Sequence, residues 1–157
     1  MPVYEQRPAP PVIDEPLTVT PQLRATLEAV IRRADEAEVQ AFSSMNPVIL
    51  GAAFTGDALK SRLDDMKALR DNGVFMINRL HIMQFESFSL SRDGRRADVR
   101  LTEVWSSNFH SITTRQCVSH FHEHQVPQTI SLELTNQGWI VYNIQTHGQT
   151  PQMAACH

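Results

Sequence analysis

The stretch Val74-Phe75-Met76-Ile77-Asn78-Arg79-Leu80-His81-Ile82-Met83-Gln84-Phe85-Glu86-Ser87-Phe88-Ser89-Leu90, then Ser91-Arg92-Asp93-Gly94-Arg95, then Arg96-Ala97-Asp98-Val99-Arg100-Leu101-Thr102-Glu103-Val104-Trp105, reads as one long β-hairpin. Asp-Gly between two alternating segments is a strong hairpin signal, because a two-residue turn of that type needs positive φ at both central positions. With Asp93 and Gly94 at the tip, Leu90 faces Ala97, Phe88 faces Val99, Glu86 faces Leu101, Gln84 faces Glu103 and Ile82 faces Trp105. Directly opposed residues share a face of the sheet. One face is therefore apolar toward the turn and carries Glu86, Gln84 and Glu103 further down, and the chemistry of the protein is expected on that face.

Upstream of the hairpin the pattern is helical. Thr20-Pro21 starts a first helix, since threonine can cap and proline at the first helical position has no N–H to leave unpaired. Leu23, Leu27, Val30, Ile31, Ala34, Ala37 and Ala41 recur at helical spacing, with Arg24, Glu28, Arg32, Arg33, Glu36 and Glu38 on the solvated side. Asn46-Pro47 repeats the start signal for a short, mostly buried helix over 48–54. Thr55 caps a third helix with the stripe Leu59, Leu63, Met66 and Leu69, and Gly73 stops it in the left-handed conformation. Residues 1–21 hold six of the nine prolines and read as a disordered tail or linker. Downstream, Asn136-Gln137-Gly138 is a turn and Trp139–Ile144 a last strand. Pro127 interrupts the strand before it and suggests a bulge or a sheet edge. The domain is expected over 22–146, with 147–157 a flexible C-terminal tail.

Composition excludes several classes. The formal net charge of -3 leaves no electrostatic footprint for nucleic acid or an anionic membrane. No apolar run spans a bilayer and no signal peptide is visible, so no direct membrane insertion is expected, although the chain could be the soluble part of a membrane-anchored protein. Of the two cysteines, Cys117 lies in a predicted strand and Cys156 at the extreme tail. They imply no disulfide framework, which makes the cytoplasm the default. No phosphate-cradling glycine loop or nucleophile elbow occurs, and no cofactor is expected.

Three helices followed by four antiparallel strands argue for an α+β fold. A strongly curved sheet wrapped around the long first helix leaves a cone with one open end. The order of elements resembles the nuclear transport factor 2-like superfamily, the cone fold of polyketide cyclases and ketosteroid isomerases. A closer likeness is to the domain of plastid-division proteins that faces the intermembrane space. It is carried by Thr55-Gly56-Asp57-Ala58-Leu59, by Phe88-Ser89-Leu90-Ser91-Arg92-Asp93-Gly94-Arg95-Arg96-Ala97-Asp98-Val99 and by Gly138-Trp139-Ile140-Val141. These are fold motifs, nearly silent on chemistry. The division-protein likeness implies a non-catalytic module that holds a partner or dimerises. The histidine run His120-Phe121-His122-Glu123-His124 departs from it.

Three histidines at alternate strand positions point to one side, with neighbours about 7 Å apart and the outer two about 13 Å apart at a rise of roughly 3.3 Å per residue. A metal would need a third ligand from another strand, and no recognised ligand motif supplies it. If Ile112-Thr113 form a tight turn, Trp105 faces His120 and Glu103 faces His122, but a one-residue slip sends all three histidines outward. Three readings stay open: polar strand residues without chemistry, a proton-transfer site, and a metal site. In the second, a carboxylate desolvated inside the cone works with a histidine, giving the catalytic candidates Glu103, His122 and Glu86. Gln84, Trp105 and His120 are the candidate ligand-binding residues. The reading preferred is a binding module, expected as a homodimer joined through the outer sheet face and engaging a protein partner or a small apolar molecule. The alternative is a small-molecule lyase or isomerase with a carboxylate–histidine acid–base pair.

Overall fold

Thr20 and Pro21 open α1 (Pro21–Ser44) as expected: the Thr20 hydroxyl accepts from the Leu23 N–H at 3.1 Å. Asn46 does the same for Val48 at the start of α2 (Pro47–Ala53). These contacts belong to a computed structural model, which describes residues 17–148 and 151–156. The proline-rich stretch, apart from its last residues, therefore lies outside the described residues. Helix α3 (Gly56–Asp71) starts differently from the expectation, because the Thr55 side chain makes no capping bond. The Thr55 N–H donates to the Val141 carbonyl at 2.9 Å instead, and Gly56 sits at φ 55° with the Tyr142 carbonyl 3.3 Å from where a Cβ would be. Glycine is required there on both counts. Leu63 is 37% exposed, so the inward stripe of α3 runs through Ala58 and Met66, with Arg62 one helical turn from each.

The sheet holds β1 (Val74–Leu90), β2 (Arg96–Ser111), β3 (Cys117–Thr135) and β4 (Gly138–Thr146) in that order, all antiparallel. A fifth strand, β5 (Met153–Ala155), pairs with β3 through Ser119, His120 and Phe121. The sheet curls over α1 without closing. Leu27, Ile31, Phe42, Leu50, Val99, Leu101, Leu132 and Val141 are sealed between the helices and the concave face. The fold is thus α+β, three helices on a curved antiparallel sheet, with one strand more than the four expected.

Near its tip the hairpin follows the expected register: Leu90 pairs with Ala97 and Phe88 with Val99. The turn itself is longer than two residues. Gly94, at φ 73°, donates to the Ser91 carbonyl, and the Asp93 carboxylate accepts from the Arg95 N–H, so among these residues glycine alone takes the left-handed conformation. Below the tip the register departs. Glu86 and His81 are each skipped by the pairing, so Phe85 meets Leu101, Met83 meets Glu103 and Leu80 meets Trp105. Each extra residue reverses the alternation, and the inward set becomes Phe88, Phe85, Met83, Leu80, Asn78 and Met76.

The C-terminal stretch corrects two expectations. Residues 153–155 form a paired strand where a flexible tail was anticipated, and Cys156 is disulfide-bonded to Cys117. Two cysteines 39 residues apart in sequence meet because β5 lies on the start of β3. The ground for a reducing compartment falls away with that bond.

Candidate functional site

Between α1, α3 and the concave face lies a half-open cavity of about 480 Å³. Its wall is apolar for the most part, with Phe54, Met76, Trp105, Phe121, Val126 and Ile144 among the lining residues. Polar and charged residues line it as well: Asp35 and Glu38 from α1, Arg62 from α3, Glu103 from β2, and His124 and Gln128 from β3.

Asp35 and Glu38 occupy positions that the apolar stripe of α1 would otherwise fill, four and seven residues after the buried Ile31. Glu103 continues the inward series Ala97, Val99 and Leu101 of β2 and is only 1% exposed. Gln128 Nε2 donates to Glu103 Oε1. The Asp35 and Glu103 carboxyls interact at close range, and a proton held on the pair relieves the repulsion of two buried negative charges. Burial, then the bond to Glu103 and the neighbouring negative charges, push the Asp35 carboxyl far above the ordinary carboxylate range. Asp35 Oδ2, Glu103 Oε2 and the donor Arg62 Nε are buried without a hydrogen-bond partner among the described residues. Arg62 Nε stands 2.9 Å from Glu38 Oε1, and an Arg62 terminal nitrogen 3.5 Å from Asp65 Oδ2. Burial also raises the Glu38 carboxyl, against the opposing pull of Arg62. On the same wall Ser107 donates to Asn78 Oδ1 at 2.6 Å.

The histidine run is divided by a bulge. Trp105 pairs with His124 and Ser107 with Phe121, so β3 spends one residue more than β2 over this span. Phe121 and His124 therefore both turn inward, their rings meeting edge to face with centroids 6.0 Å apart. His120 and His122 turn outward, with their Nε2 atoms 3.2 Å apart. The break falls at residues 122–123 and not at Pro127, which pairs normally with Thr102. The turn after β2 covers residues 112–116, not two residues, and closes through the Ser111 N–H and the Gln116 carbonyl.

Of the residues singled out from sequence, Glu103 and Trp105 come together at the cavity. Glu86 does not: it is exposed and accepts from the Thr102 hydroxyl at 2.6 Å on the outer face. Gln84 is exposed, and His120 and His122 stand outside. The physical reason is the same each time, an extra residue in one strand of a pair. Asp35, Glu38, Arg62 and Gln128 were not recognised as site residues. The signal for three of them was present: charged residues at helical spacing inside an apolar stripe. Among the described residues no group of three or more His, Cys, Asp or Glu side chains is arranged to hold a metal ion.

Among solved structures, the intermembrane-space region of the chloroplast protein ARC6 aligns at TM-score 0.69 and 17% identity, over 80% of this chain and 96% of that one. A type 2 hexachlorocyclohexane dehydrochlorinase (LinA) aligns at TM-score 0.53 and 12% identity, over 85% and 93%. The fold is that of the nuclear transport factor 2-like superfamily. No protein-family model and no curated protein matches the chain. In the nuclear transport factor 2-like cone seen here, no helix among the described residues is long and apolar enough to cross a membrane.

Proposed function

We propose that the protein is a binding module whose cone takes up a small, largely apolar molecule. The observation that carries this reading is the half-open cavity of about 480 Å³, apolar over most of its wall with a few charged and polar side chains set in it. That size and composition suit a small-molecule site. A neutral solvatochromic dye such as Nile red tests it: blue-shifted emission is expected with the native protein and not with Val126→Trp, which fills the cavity. Equal emission from both would place the dye elsewhere and remove the reading.

A second reading rests on the Asp35 carboxyl, which burial holds in its acid form, with Glu103 and His124 lining the same cavity. An acid held protonated beside a possible base is the equipment of a proton-transferring lyase or isomerase. In that case Glu103 retains its catalytic assignment, while Asp35 and His124 take the places first given to Glu86 and His122. Hydrogen–deuterium exchange of weak carbon acids, followed by NMR, is expected to be accelerated by the native protein and not by Asp35→Asn or Glu103→Gln. Exchange unaffected by both variants would rule this out.

Pairing with a second copy has support of its own. Ile77 and Ile82 are 39% and 57% exposed, and both lie on the outer face of the sheet. Sedimentation equilibrium should give a dimer that Ile82→Lys dissociates; a monomer for the native chain would end the proposal. The Cys117–Cys156 bond favours an oxidising compartment over the cytoplasm.

A further inference from the structure

The cavity has more acceptors than donors. Three carboxyl groups face it, those of Asp35, Glu38 and Glu103, against the single guanidinium of Arg62. Arg62 is paired in charge with Glu38 and Asp65, although its Nε–H is aligned with no acceptor, and the Gln128 amide donates to Glu103 Oε1. That leaves Asp35 Oδ2 and Glu103 Oε2, on side chains 7% and 1% exposed, with no donor among the described residues. Two acceptors from two elements, α1 and β2, thus meet at the wall of a space large enough for a ligand. An ammonium group has three donors, no acceptor and one positive charge. It can replace the proton that burial holds on Asp35, donate to both oxygens and leave the net charge of the cavity unchanged. A neutral alcohol brings one donor and no charge, so it cannot make that exchange.

We propose that the cone selects organic amines, seating the ammonium head on Asp35 Oδ2 and Glu103 Oε2 and the apolar body against Trp105 and Phe121. The inference rests on the reading of the cone as a small-molecule site and names the ligand class for it. The other titratable or charged groups facing the site are Glu38 on α1, Arg62 on α3, His124 on β3 and His147 after β4, with Asp65 behind Arg62. Glu38 and Arg62 offset each other. His147 is held by Thr129 Oγ1 at 3.0 Å. On binding, the proton leaves to solvent and the ammonium takes its place, so no bond other than hydrogen bonds changes.

Calorimetric titration with two amine–alcohol pairs, tryptamine with tryptophol and phenethylamine with 2-phenylethanol, tests this. Each amine is expected to bind about tenfold or more tightly than its alcohol, as a charge-assisted pair of hydrogen bonds requires. Amine affinity should rise from about pH 5 to about pH 8 while alcohol affinity stays flat, and titrations in buffers of different ionisation enthalpy should show about one proton released per amine. Glu103→Gln keeps an oxygen for the Gln128 donor and should bring amine and alcohol to similar affinity. Asp35→Asn is the second variant should the first not fold, as judged by circular dichroism. Equal binding of amine and alcohol by the native protein overturns the amine proposal and leaves the small-molecule reading in place. Failure of all four probes to bind overturns both.

Discussion

The two halves of the sheet obey different rules. Around the hairpin tip, Leu90, Ala97, Val99, Ile130 and Leu132 form a continuous apolar layer, and strict alternation holds across the β1–β2 pair, the one extra residue there being Tyr142 of β4 opposite Ser131 and Leu132. Toward the open end the inner face carries Glu103, Ser107, Asn78 and His124, and there β1 and β3 gain extra residues at His81, Glu86 and 122–123. An apolar interior penalises a one-residue slip heavily, because every side chain in the strand would exchange core for water. A mixed interior penalises it less. Bulges are tolerated there, they bend the strands, and the bending shapes the cavity.

The largest loss on substitution comes from the tip. Leu132→Ala, at a fully buried position, should cost about 2–5 kcal/mol in urea unfolding, with no specific effect on the cavity. A cost under about 1 kcal/mol would show that the tip is not the anchoring half. Next comes the tether at the open end. Cys156→Ser should lower stability by up to about 4 kcal/mol in the chain-entropy model for a bond closing 39 residues. Faster amide exchange is expected at 119–121, where β5 pairs, and none near Leu90. Exchange that quickens evenly through the sheet would dissolve the distinction between the halves.

A smaller effect concerns the acid pair. The folded state holds the Asp35 proton more tightly than the unfolded chain does, because burial raises its carboxyl. The stability this gives is complete below the ordinary aspartate range and declines as pH rises toward the raised value, by at most about 1.4 kcal/mol per pH unit. Native stability minus that of Asp35→Asn should therefore fall from about pH 5 to about pH 8. A difference that stays level or rises would mean that the pair holds no proton. The smallest effect belongs to the outer face: His122→Ala should stay within about 0.5 kcal/mol and leave dye binding intact, while His124→Ala, on the cavity wall, should alter it. The reverse outcome would place the β3 bulge wrongly.

Much of the architecture was legible in the residues. Thr20-Pro21 and Asn46-Pro47 mark their helix starts because a capping oxygen and a proline act locally, within one turn. Asp93-Gly94 places the hairpin tip for a similar reason: the left-handed conformation at Gly94 depends on that residue more than on anything distant. The same local logic misassigned Thr55, whose capping role passes to a contact with Val141 across the molecule. Asp35 and Arg62 could have been noticed as charges in apolar stripes, although their mutual proximity could not.

Sequence alone determined the helices, the hairpin, the inward face of Val99 and Leu101, and the inward aim of Glu103, since each follows from periodicity or turn chemistry within a few residues. Tertiary structure alone decided that Glu103 meets Asp35 and not Glu86, that His124 enters the cavity while His122 leaves it, and that Cys117 finds Cys156. Those outcomes depend on where a strand accepts an extra residue. That choice minimises a free energy summed over both faces of the sheet and the helices packed on it, and no short stretch of residues contains the sum.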